Sequence, residues 1–142
     1  MTRSLGLSLS ESITFEMSST LWIRDPNNDK IGKWMYFFND AEFTDKICQK
    51  AILNSVVEHC KYTNNAESGV ACFYLNIDDI EGHKKVIKFF LDNKLIPINK
   101  SGKFKNISFK LDMQTMNREY GDKFEGKLSL EHFIDLSSGI FK

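Results

Sequence analysis

The sequence predicts an α+β domain, an antiparallel-rich sheet with two main helices packed on one face. Its apolar residues fall into short runs bounded by turn chemistry, as strands do. Two longer stretches, near 45–61 and 80–93, repeat their apolar residues at helical spacing instead. The resulting order is hairpin, helix, strand, helix, strand and an irregular, partly β end, which suits a sheet with helices laid on it. With 142 residues, 42% of them apolar and 13% aromatic, the chain can build one core and hardly two. Residues 1–18 read as a flexible lead and 19–142 as the single domain.

The lead alternates loosely and ends in a short strand, Ile13–Met17. Thr20–Arg24 and Ile31–Phe38 flank Asp25-Pro26-Asn27-Asn28-Asp29, a strong turn cluster, and predict a hairpin. Within its second arm Trp34, Tyr36 and Phe38 share one face, and Lys33, Met35 and Phe37 the other. Both faces are bulky, so this strand is expected in the middle of the sheet with Trp34 in the core. Thr44 offers an N-cap to a helix from about Asp45 to Lys61, with Ile47, Cys48, Ala51, Ile52, Ser55, Val56 and His59 inward. The run Gly69–Leu75 is continuously apolar and predicts a strand buried on both faces. Asp78 and Glu81 form a capping box for a second helix ending near Asn93. Asn106–Leu111 alternates as a strand, and 126–134 reads as a last one.

Nineteen basic and nineteen acidic groups cancel, which argues against a disordered chain and against a binder of long nucleic acid. No apolar run approaches the roughly 20 residues that span a bilayer, and the serine-rich start lacks the core of a secretory signal. Cys48, Cys60 and Cys72 are odd in number, share no CxxC spacing and sit in apolar patterns. They read as buried thiols in a cytoplasmic protein, with no metal site and no cofactor expected. Charge is nevertheless uneven. Residues 84–110 hold eight lysines against Asp92 alone, a local excess able to attract an anionic ligand or an acidic protein surface.

The ordered set of Trp22, Gly32-Lys33-Trp34 opening a strand, the 45–61 helix, the Val70–Leu75 strand, the 80–93 helix and Phe109-Lys110-Leu111-Asp112 resembles the cap-binding translation initiation factors. It is most similar to the basophilic-leukaemia-expressed-like family of the same fold, whose late lysine-containing strand and threonine/tyrosine ending resemble Lys110, Thr115 and Tyr120 here. The resemblance implies a curved sheet and, in the initiation factors, a tryptophan that stacks on the cap base while basic residues hold its phosphates. Trp22 and Lys33 stand at the matching positions. Ile23 stands where those factors have an acid, and 64–68 lacks their basic residues, so binding of methylated guanine is not implied. Some bacterial relatives are described as phosphothreonine lyases, chemistry that needs a lysine-type base, a histidine-type acid and cations on the phosphate.

Five residues make the candidate ligand site: Trp22 to stack on a planar group, Lys33, Lys110 and Arg118 to neutralise phosphate, and Tyr120 beside them. The expected function is non-catalytic binding of a nucleotide or similar phosphorylated small molecule; in a phage or mobile element it would sequester a nucleotide immune signal. Two rivals stand beside it. One is a protein-interaction or inhibitor module using the lysine-rich 84–110 face. The other is a phosphate-directed lyase, for which His59, His83 and His132 are the available acids. No catalytic residue is assigned, because GxSxG, HExxH and P-loop patterns are all missing from the sequence.

Overall fold

A computed structural model describes residues 12–17, 30–64, 67–112 and 128–142. They contain strands β1 (Ser12–Glu16), β2 (Ile31–Phe38), β3 (His59–Thr63), β4 (Gly69–Asn76), β5 (Ser108–Leu111) and β6 (Leu128–Ser129). Two helices join them, α1 (Ala41–Leu53) and α2 (Ile80–Asp92). The six strands form one sheet in the order β1-β3-β4-β2-β5-β6, every described pairing antiparallel. Both helices pack on one face, so the α+β expectation holds. Thr20–Arg24, the first arm of the predicted hairpin, lies outside the described residues.

Strand β2 occupies the centre as its two bulky faces require, paired with β4 along its whole length and with β5 at Gly32↔Leu111 and Lys33↔Lys110. Its alternation sends Trp34 and Phe38 toward the helices, where Trp34 is fully buried. Phe109 packs at 5.6 Å and Phe133 at 6.3 Å from that indole. Gly32 is glycine because β5 crosses closely there. A Cβ would stand 2.8 Å from the Lys110 carbonyl and 2.5 Å from the Phe109 ring.

The helices bury Thr44, Ile47, Cys48 and Ala51 from α1 and His83, Val86, Ile87, Phe89 and Phe90 from α2. Their starts differ from expectation by one choice of cap each. Asp40, not Thr44, caps α1 by accepting from the Phe43 amide at 3.1 Å, and Thr44 turns inward to donate to the Asp40 carbonyl. Asp79, not Asp78, caps α2 by accepting from the Gly82 amide at 3.0 Å.

The larger correction concerns 45–61. The helix stops at Leu53, Ser55 turns the chain with φ +56°, and residues 59–63 form β3. Cys60 and Tyr62 then face the core while His59, Lys61 and Thr63 alternate outward. Likewise the predicted strand 126–134 shrinks to β6 and a 3-10 turn over Leu130–His132.

His83 is a fully buried imidazole in the core. Its Nδ1 accepts from the Trp34 indole Nε1–H at 3.0 Å, so the ring proton sits on Nε2 and is donated to the Ile77 carbonyl at 2.8 Å. Complete burial holds its pKa below the ordinary 6.5, against an opposing pull from the hydrogen bond to Ile77 and from Asp79 and Asp78. The three thiols are free and buried. Among the described residues no helix is long and apolar enough to cross a membrane.

Candidate functional site

The face of the sheet turned away from α1 and α2, here the far face, carries a small buried cluster of Ile31, Cys72 and Tyr74, with Lys33 and Lys110 buried on the same face. Read across the sheet, one row runs Glu16 in β1, His59 in β3, Tyr74 in β4, Lys33 in β2 and Lys110 in β5. The next row holds Lys61, Cys72 and Met35. Antiparallel register makes these rows. Each strand contributes alternate residues to one face, and pairing aligns them into lines of close neighbours.

Lys33 and Lys110 are direct register partners, each only 8% exposed. Like charges set opposite one another on a sheet repel. Burial, with Lys33 alongside, pulls the Lys110 ammonium below its ordinary 10.5. Asp112 accepts from the Lys33 ammonium at 2.7 Å. Tyr74 lies between cations, with the Lys33 and Lys61 ammoniums 5.8 and 5.6 Å from its ring centroid, inside cation–π range. Burial drives the Tyr74 phenol well above the usual tyrosine range, so it stays protonated as a donor. Burial also raises the Cys72 thiol, partly offset by Lys33 and Lys61. The row ends in a contact of His59 Nδ1 with Glu16 Oε2 at 2.9 Å, with the imidazole edge-on to Tyr74 at 5.1 Å.

Of the five candidate residues, the fold brings Lys33 and Lys110 together. Trp22, Arg118 and Tyr120 lie outside the described residues. Tyr74 and Lys61 escaped the sequence reading. Tyr74 was hidden in a continuous apolar run, and Lys61 was assigned to a helix. The lysine-rich segment divides: Lys84, Lys85, Lys88, Lys94, Lys100, Lys103 and Lys105 are exposed on α2 and the loop after it, whereas Lys110 turns onto the far face. The histidines also divide. His83 is a core residue, and His132 accepts from the Ser129 amide at 3.0 Å in the last turn. His59 alone of the three shares the far face with the lysines.

A separate cavity of about 330 Å³ opens between the α1–β3 connection and the start of α2. Glu58, Asp79 and Glu81 line it with Lys85, a balance that repels phosphate. Among the described residues no cluster of three or more His, Cys, Asp or Glu side chains is placed to hold a metal ion. No protein-family model, curated protein or solved structure matches the chain.

Proposed function

We propose that the chain binds a nucleotide or a similar phosphorylated small molecule on the far face, without transforming it. The observation that carries this reading is the Lys33–Lys110 register pair, flanked by Tyr74 and Lys61. Two ammoniums held side by side in a site of low exposure present a positive field that a phosphate dianion would offset, and low exposure strengthens each contact. Lys33 and Asp112 hold one another in place, which lowers the entropic cost of positioning the cation. The resemblance of the Gly32-Lys33-Trp34 element to cap-binding initiation factors supports the same ligand class.

The test is calorimetric titration with ADP and with inorganic pyrophosphate against the natural chain and a Lys33→Met, Lys110→Met double variant. Methionine retains the buried stem while removing the charge. Losing two charge-assisted contacts should weaken binding by roughly 100-fold or more. Unchanged affinity in the double variant, or no binding of either anion by the natural chain, overturns the proposal.

A second reading has an observation of its own. Lys84, Lys85 and Lys88, with Glu81 beside Lys84, surround the half-buried Phe141 in a hollow of about 220 Å³ on the outside of α2, a net cationic surface with an apolar centre suited to an acidic protein partner. Exchanging those three lysines for glutamate should abolish capture of such a partner and leave anion titrations on the far face unaltered.

A further inference from the structure

The far face has a second end. Along β2 the residues pointing to it run Lys33, Met35 and Phe37, from buried cation to exposed ring. Phe37 is 73% exposed, although it lies in a central strand with Val70 as its register partner. Phe37, Phe38, Thr63, Ser68, Gly69 and Val70 line a shallow, open hollow of about 440 Å³ at this end. Gly69 adds no side chain to it, and Phe37 and Val70 supply an apolar wall.

The spacing matters. Two residues of strand advance about 6.7 Å, so Phe37 stands one such step from the Lys61–Cys72–Met35 row and about 13 Å from the Lys33–Lys110 pair. Cations at one end and an uncovered aromatic at the other match a ligand that is itself two-ended, with a flat ring and a phosphorylated tail.

We infer that Phe37 is the stacking platform of the far face, and that the ligand lies along β2 with an aromatic base on Phe37 and Val70 and its phosphates toward Lys61, Lys33 and Lys110. This rests on the phosphate-binding reading above and narrows it to phosphorylated molecules bearing a planar ring. Stacking on an aromatic side chain tolerates different bases, so adenine serves as a fair probe.

The experiment titrates ADP and inorganic pyrophosphate separately against the natural chain, Phe37→Ala and Phe37→Trp. An exposed ring can be removed without disturbing the core, so both variants fold. Phe37→Ala should weaken ADP by about 5- to 150-fold while leaving pyrophosphate unchanged, and Phe37→Trp should restore or tighten ADP. Equal losses for both anions, or no loss for ADP, overturn the platform while the lysine site stands. Failure of the natural chain to bind either anion overturns both.

Discussion

His83 offers the most direct link between a pair of hydrogen bonds and a bulk measurement. Its folded-state pKa lies below 6.5, so between that folded value and 6.5 the unfolded chain binds a proton that the native chain refuses. Stability contributed by the neutral ring is therefore complete above 6.5 and is lost as pH falls below it. The slope of this loss has a ceiling of about 1.4 kcal/mol per pH unit for one proton. Geometry supports the full effect: the ring is entirely buried, and its unprotonated Nδ1 already receives the Trp34 indole proton. A second ring proton would face another N–H. The perturbation is His83→Gln, which keeps an amide able to bond in the same space and does not titrate. Urea unfolding of both proteins at about pH 7.5, 6.5 and 5.5 separates the slope from any fixed cost of the substitution. Every other side chain is common to the two proteins, so the difference between the two curves isolates position 83. If the natural chain and the variant lose stability in parallel as pH falls, the buried neutral imidazole is refuted.

Gly32→Ala should destabilise by about 1–3 kcal/mol in urea unfolding, because the new methyl meets backbone at Lys110 as well as the Phe109 ring. Tyr62→Phe removes the hydroxyl that donates to Asp45 at 2.9 Å and should cost about 1 kcal/mol. Desolvation and that bond raise Tyr62 to about 12, so the same variant should also lose a tyrosinate absorbance step near that pH. Cys48, Cys60 and Cys72 should resist a thiol reagent at neutral pH and all react once urea unfolds the chain, since the contact with Cys48 and then burial disfavour the thiolate at Cys60, burial disfavours it at Cys72, and burial blocks access to all three.

What could be read from the sequence was whatever repeats locally. Alternation in Ile31–Phe38 correctly assigned Trp34 and Lys33 to opposite faces, and the bulk on both faces correctly made this strand central. Strand β3 was not legible, because Val56 and His59 prolong the helical spacing of Ile52 while β3 offers only five residues of alternation. The turn that separates them uses Ser55 at positive φ, where a glycine would have announced a stop. The far-face row was invisible for a different reason. Residue type alone marks Lys33 and Lys110 as candidate phosphate ligands, but their adjacency depends on which strands pair, and the two stretches are far apart in sequence. Tyr74 joined them through the same long-range register. Phe37 could be placed on the correct face from alternation, yet its exposure depends on what covers that face.

The partners of Trp34 also set how the molecule reaches this state. Phe73, His83, Phe109 and Phe133 arrive from β4, α2, β5 and the last turn, the most distant roughly a hundred residues downstream. Little of this neighbourhood can be assembled from nearby chain, so loop closure must be met before packing rewards it. Refolding should accordingly be slow for a domain of this size, in the millisecond-to-second range of proteins with non-local pairing. The indole that the last segments enclose supplies the optical signal for timing it.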